Sequence, residues 1–491
     1  MTLKRPILVG GLGLSASLWL LNIVGHSPVG HVFDASTLMG AVGVGAGLWW
    51  LRSRNTASEL AIEPPLALGP VDKSAIEKVI AGIEAALETL STELTEGLKD
   101  GTEADKTKPV WTQIESQRAA AAQLLENLDR ETLSLAVVGN KATGKTTLIS
   151  HLNSDWQLGQ PSVASITEVQ GETALPATDT DLVLFVTAAD LTNSELQRIQ
   201  TLLKAGYRVQ LAFNKQDQLT PMDRQSVMTR IQTRVEGLGI DMRAIAAAPN
   251  EIKVRRHQED GTTQEFTEQP EPQVTALTER LTHLVENETQ QMVLTTTLRQ
   301  ANALLNSTHD LLNAQRRQRA MPIVEQMQWI AAGSAFASPL PSLDLLASTA
   351  INAQMIMDLG AVYGQSFSLE QAKAAAGTLA ELLVKLGLVE LSTQAFGSLL
   401  KTHAATYVAG GALQGVSAAY LTRMVGSSLI DFFEEQSLLA PEQQKFAFSD
   451  MGERLQALFK ATKQGLGLQA FVQQALTHLP ALPQTKTAAA Q

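Results

Sequence analysis

The chain has 491 residues, enough for two or three domains with separate cores. Acidic residues outnumber basic ones by 49 to 38, a formal charge of −11, so the global field repels nucleic acid and argues against it as a partner. With no cysteine the chain makes no disulfide, thiolate metal site or cysteine nucleophile, and 5% aromatic content with many small residues suits closely packed helices.

Residues 6–24 and 35–51 carry no charge, apart from the approach to the second run at Asp34. Each run comes near the roughly 20 residues a helix needs to cross a hydrocarbon core. Lys4 and Arg5 precede the first run, and Arg52 and Arg54 follow the second. The positive-inside rule then puts both ends on the cytoplasmic side, with Trp49 and Trp50 at the interface. Residues 1–55 are expected to form a transmembrane helical hairpin rather than a cleaved leader, because the first run exceeds an ordinary leader core and a second follows at once. In region 56–131 a Pro/Ser/Ala-rich tether leads to two predicted amphipathic helices, 72–98 and 110–128. Ile76, Val79, Ile80, Ile83, Leu87, Leu90 and Leu94 recur at helical spacing in the first. Their polar faces are acidic or mixed, which favours packing on protein over lipid.

Region 132–288 holds the motifs. An apolar run of strand length, 133–138, leads into Gly139-Asn140-Lys141-Ala142-Thr143-Gly144-Lys145-Thr146, and Thr147 opens a predicted helix. Glycines at both ends of such a loop let successive backbone N–H groups turn toward phosphates, and the helix N-terminus adds a positive dipole. Lys145 is placed to reach the β- and γ-phosphates, and the Thr146 hydroxyl to ligate Mg²⁺. Two further strand-like runs, 182–187 and 207–213, flank a predicted helix at 193–205, so a mostly parallel sheet covered on both faces is expected. Directly after the second run comes Asn214-Lys215-Gln216-Asp217. A carboxylate there can accept from both guanine N1–H and N2–H₂, which adenine lacks. Asn214 would fix the loop, the Lys215 stem would cover the base, and a backbone N–H of Ala246 or Ala247 would make a third base contact.

On these motifs, residues 133–286 resemble the translation-factor-related, Era-like GTPases. The resemblance implies GTP binding and hydrolysis with Mg²⁺ and adds functional roles for Thr146 and Asp217. Such proteins carry D-x-x-G between the phosphate loop and the strand corresponding to 182–187, and this chain has none there. Its nearest equivalent is Glu168-Val-Gln-Gly171-Glu172, in which Gly171 is expected to sense the γ-phosphate and Glu172 to approach the metal. Only 154–181 remains for both switch loops, so one strand of the usual hairpin is expected to be missing or very short. Spacing does not choose between Ser165 and Thr167 as a metal ligand from the first switch.

Around Asp260-Gly261, residues 251–268 read as a hairpin, and helices are predicted at 273–288 and 294–326. Arg316, Arg317 and Arg319 read as a solvated basic face or, less favourably, as a contact to lipid headgroups. Segments 326–343 and 404–422 are uncharged but Gly/Ala/Ser-rich, which favours buried or membrane-apposed helices over spans; Gly411-x-x-x-Gly415 would allow close helix contact. Gln328-Trp329, Pro341-Ser-Leu-Asp344-Leu-Leu, Lys385-Leu-Gly-Leu-Val-Glu390 and the run 410–423 resemble the YcjF-like domain found fused to cyanobacterial GTPases, over roughly 290–435. That resemblance implies membrane association and no known catalysis, and Asp344, Asp358 and Glu390 read as packing or capping residues.

The expected architecture is therefore an α/β nucleotide domain with a mostly parallel P-loop NTPase sheet, preceded by the hairpin, followed by an all-α domain at 289–436, then helices and a tail at 437–491. Two functions fit it. One is a membrane-anchored GTPase switch, binding GTP or GDP with Mg²⁺ on the cytoplasmic side and acting on a protein partner or the bilayer through its helical domain. The other is a non-hydrolysing nucleotide-bound scaffold with a degenerate second switch. Self-association into a homo-oligomer is compatible with both, and nucleic acid is expected with neither.

Overall fold

The computed structural model describes residues 70–99, 104–171, 173–257, 263–337, 341–400, 410–437, 448–453, 455–457 and 471–475. The expected hairpin at 1–55, Glu172 and the tail from 476 onward lie outside the described residues.

Five strands, β1 (Leu133–Gly139), β2 (Val163–Glu168), β3 (Leu182–Thr187), β4 (Arg208–Phe213) and β5 (Met242–Ala244), form one sheet in the order β2-β1-β3-β4-β5. Every neighbouring pair is parallel, so all five carboxyl ends lie along one edge. Side chains alternate across the pleat: Leu182, Leu184 and Val186 of β3 enter one core, Val183 and Phe185 the other. Because both faces are buried, the strand reads as a continuous apolar run.

The first face is covered by α3 (Lys145–His151) and by the start of a long helix, α6 (Thr275–Ala337). Helices α4 (Asn193–Lys204) and α5 (Pro221–Val235) cover the second. Thr192 and Glu195 close a capping box at the start of α4, and Thr220 followed by Pro221 starts α5, so local sequence fixes both helix entries. An antiparallel pair, β6 (Ile252–His257) and β7 (Thr263–Glu268), forms the expected hairpin beside the sheet.

Helices α1 (Lys73–Lys99) and α2 (Ala104–Glu126) pack their apolar faces on the middle of α6, burying Ile76, Ile83, Leu87 and Leu90 with Leu294, Ala301 and Leu312. The expectation of protein rather than lipid packing therefore holds for these two. The remaining elements, α7 (Pro341–Val362), α8 (Leu369–Lys385), α9 (Leu388–Leu400) and α10 (Gly410–Ser437), surround the last part of α6. α10 crosses α6 closely at Gly426, where a Cβ would meet the Val324 methyl carbons at 2.7 Å. Among the described residues no helix is long and apolar enough to cross a membrane.

Two expectations change. The separate helices at 273–288 and 294–326 are one helix of 63 residues, so the boundary placed at 288/289 falls inside it. Glu286-Asn-Glu-Thr-Gln-Gln291 is polar but contains neither Gly nor Pro, and polarity alone does not end a helix. The basic cluster is ion-paired within the protein: Arg316 is buried, while Arg317 and Arg319 keep part of their side chains exposed. Arg316 binds Glu93 of α1 at 2.8 Å, Arg319 binds the same carboxylate, and Arg317 pairs with Asp431 and with Glu434 of α10 at 2.7 Å.

Candidate nucleotide site at the carboxyl edge of the sheet

The phosphate-type loop leaves β1 where the strand is clamped between neighbours. A Cβ on Gly139 would lie 2.2 Å from the Val186 carbonyl of β3, so only glycine fits that approach. Gly144 has a φ of 89° and caps α3; a Cβ there would lie 2.3 Å from Asn214 Nδ2. Lys145 donates from Nζ to the Asn140 carbonyl at 2.9 Å, closing the loop on itself. Thr143 donates to the same carbonyl at 3.0 Å.

The second loop is stitched directly to the first. Asn214 follows β4, and its backbone N–H donates to the Thr187 carbonyl of β3 at 2.8 Å. Its buried carboxamide donates from Nδ2 to the Thr143 carbonyl at 2.8 Å and accepts the Ala247 N–H at 2.9 Å. One side chain therefore joins the Gly139–Thr146 loop, the Asn214–Asp217 loop and the loop after β5. Lys215 takes a left-handed φ of 63°, and Asp217 accepts the Asn250 N–H on Oδ2 at 3.0 Å. The other oxygen, Asp217 Oδ1, is buried without a hydrogen-bond partner. A buried unpaired carboxylate oxygen is costly, and a ligand bearing N–H donors relieves that cost.

The Ala246 and Ala247 amides, expected to reach the base, are engaged within the protein: Ala246 N–H donates to the Gln273 carbonyl at 3.0 Å and Ala247 N–H to Asn214. These two residues build the loop, and the exposed Ala248 is the next along it. The x residue, Gln216, turns its amide toward the Ala244 carbonyl at 3.5 Å.

Beside Thr146, the contact is made by Glu168, the first residue of the expected Glu168–Glu172 segment, to which the sequence assigns no role of its own. Glu168 ends β2 beside Val137 of β1, and its Oε2 accepts the Thr146 hydroxyl at 2.8 Å while Oε1 lies 3.7 Å from Lys145 Nζ. A carboxylate thus touches both side chains that the phosphate-loop pattern assigns to nucleotide and Mg²⁺. Glu168 closes β2, which runs parallel to β1, and Gly171 follows three residues later in the loop, giving E-x-x-G at the place expected for D-x-x-G. Ser165 and Thr167 are occupied along the sheet, Ser165 with Ser134 at 3.4 Å and Thr167 with the Leu135 carbonyl at 3.3 Å. Gly171 has a φ of 94°, and its carbonyl accepts from Arg198 at 2.9 Å.

The expected loss of a strand is visible in the described residues: β2 alone lies between α3 and β3, and it pairs in parallel with β1. The connection to it is nearly all helical. A π turn, Leu152–Trp156, and a 3-10 turn, Gln157–Gly159, extend α3, and Trp156 Nε1 donates to Thr282 of α6 at 2.8 Å.

Residues 299–464 match the family model for DUF697, a domain of unknown function. The match begins inside α6 and falls on the region that resembles the YcjF-like domain. No curated protein matches the chain. Within the matched region Gln328 is fully buried, Trp329 stacks on Phe471 with centroids 6.1 Å apart, and Asp358 accepts from Gln354 at 2.8 Å, in keeping with packing roles.

Proposed function

We propose that this chain binds GTP or GDP with Mg²⁺ between the Gly139–Thr146 and Asn214–Asp217 loops, and works as a membrane-anchored GTPase switch through its C-terminal helical domain. The observation that carries the reading is the Asn214 carboxamide spanning Thr143 and Ala247, which joins the phosphate-type loop to the loop that holds Asp217. In this reading the P-loop amides and Lys145 hold the phosphates, and Asp217 accepts from the guanine edge. The oxygen pair Thr146 and Glu168 suits Mg²⁺, a hard cation that takes one or two protein oxygens together with phosphate oxygens and water. When bound, the ion neutralises charge on the β- and γ-phosphates. Glu168, rather than Glu172, would orient the Thr146 hydroxyl there. Anchoring rests on the uncharged runs at 6–24 and 35–51, and a protein or bilayer partner on the helical domain.

Titration of the full-length protein with a fluorescent GDP analogue tests this. Saturable binding is expected, competed by GTP and not by ATP. Asp217→Asn should weaken guanine nucleotides about a hundredfold, the worth of hydrogen bonds to a charged group, and shift preference toward xanthine nucleotides, whose C2 carbonyl accepts from an amide. Unchanged base preference in that variant rejects the assignment.

The helical connection at 152–159, tied to α6 through Trp156, favours a second reading, a nucleotide-bound scaffold that does not hydrolyse. Phosphate release that needs Mg²⁺ and disappears in Lys145→Ala rejects the scaffold; nucleotide binding with no release rejects the switch as an enzyme.

A further inference from the structure

Between Glu168 and Asp181 the described chain forms no strand, yet its carbonyls are held in sequence by three side chains. Arg198 of α4 donates to Gly171 at 2.9 Å and Ala174 at 3.2 Å. The Tyr207 hydroxyl donates to Pro176 at 2.8 Å. Arg299 of α6 donates from one terminal nitrogen to Thr178 at 3.0 Å and Thr180 at 2.6 Å, and from the other to Gly206 at 3.0 Å. Its guanidinium lies 3.9 Å from the Tyr207 ring centroid. The far end is fixed: the Asp181 carboxylate accepts from Arg130 at 2.9 Å and from the Ser134 N–H of β1 at 2.8 Å, and the Asp181 N–H donates to the Ser134 carbonyl at 2.8 Å. This strap begins beside the carboxylate that touches Lys145 and Thr146, and just before its fixed end it is gripped by α6, the helix that enters the C-terminal core.

We propose that Arg299 is the positioning residue through which the C-terminal helical domain reads the phosphate end of the nucleotide site, the strap at 169–181 carrying the displacement. This rests on the guanine-nucleotide reading above. A guanidinium offers its donors in a rigid planar fork, so the carbonyls of Thr178, Thr180 and Gly206 fit it in one relative placement. A shift of Glu168 and Gly171 that moves the strap must break this fork or carry α6 with it. α6 transmits such a motion because its residues belong to three cores: Leu281 and Val293 to the sheet, Ala301 and Leu312 to α1 and α2, Ala320 and Val324 to the C-terminal helices. Coupling of this kind is reciprocal, so the packing around α6 must also set the relative affinity for the two nucleotides.

The test uses full-length protein with Mg²⁺ and either GDP or guanylyl imidodiphosphate, reading the ratio of the two affinities and hydrogen–deuterium exchange along the chain. In the wild type the ratio departs from one, and exchange differs between nucleotides both at 171–181 and in α6 beyond residue 300. In Arg299→Gln both nucleotides still bind, the ratio moves toward one by about fivefold or more, and the difference survives at 171–181 but is lost beyond residue 300. Tyr207→Phe keeps the ring under the guanidinium and removes only the hydroxyl, so it gives a smaller change of the same sign even if Arg299→Gln does not fold. The inference is overturned if the wild type binds both nucleotides equally, or if the ratio and the distal exchange difference persist in these variants. Binding of neither nucleotide by the wild type overturns the site reading itself, and this inference with it.

Discussion

Gly144 stands where a methyl group would strike Asn214 Nδ2 at 2.3 Å, in a left-handed conformation that alanine adopts only with strain. Gly144→Ala should therefore push the carboxamide off Thr143 and loosen both ends of the site together, weakening fluorescent GDP binding about tenfold or more, as expected for a lost buried hydrogen bond plus backbone strain. Glu168 gives a complementary case. Glu168→Gln keeps the shape and removes the charge, so nucleotide binding without Mg²⁺ should stay within about twofold, while the gain in affinity on adding Mg²⁺ shrinks by about tenfold, the worth of one charge-assisted contact. Isothermal titration with and without Mg²⁺ separates the two effects. The contrast between Lys145 and Glu168 also shows what was readable in the sequence. Lys145, Thr146, Asn214 and Asp217 lie in contiguous patterns whose chemistry follows from spacing. Glu168 acquires its role from a strand register, Val137 beside Glu168, that no local pattern states. The Ala246 and Ala247 amides are likewise engaged by Gln273 and Asn214, partners from distant segments that no local pattern names.

Elements with strong local signals fall where their periodicity puts them: β3 spans Leu182–Thr187, and α1 covers Lys73–Lys99 against a predicted 72–98. What the pattern of apolar residues does not give is continuity. α6 changes its buried face as it passes from one core to the next, so its heptads look like separate helices. Charge on that helix is structural. The Arg316 side chain is 9% exposed and Glu93, its partner, 17%. Glu93→Gln leaves the Arg316 and Arg319 charges without their carboxylate, and thermal unfolding should report a loss of about 3 kcal/mol, in the range found on breaking a buried pair. His309, about two turns before Arg316, is held below the usual imidazole value near 6.5 first by burial and then by the Arg316 charge. Below about pH 6.5 the unfolded chain takes up a proton that the folded chain resists, so this contribution is full at neutral pH and declines as the solution is acidified. The melting temperature should fall between pH 7.5 and 5.5, and His309→Gln should flatten that slope; an identical slope in the variant removes His309 as its source.

Taken whole, the molecule is not divided where its sequence suggests. A fragment spanning 132–288 contains every nucleotide motif but lacks Met292 and Val293, which are buried in the sheet's first core, and Arg299, which holds Thr178 and Thr180. Such a fragment should express poorly or melt well below one extended through about residue 305, with circular dichroism melts as the measure; equal melting of the two would show that the shared helix contributes nothing to the sheet. The DUF697 match, beginning at residue 299, likewise starts in the middle of a helix whose first third belongs to another core.

A helix rising about 1.5 Å per residue travels about 57 Å from Arg299 to Ala337. With its fulcrum at Arg299, a tilt of about five degrees sweeps the distal tip through about 5 Å, close to one helical turn. Under the coupling proposed above, a small tilt at Arg299 would reach the helices packed at the other end as a displacement of several ångströms.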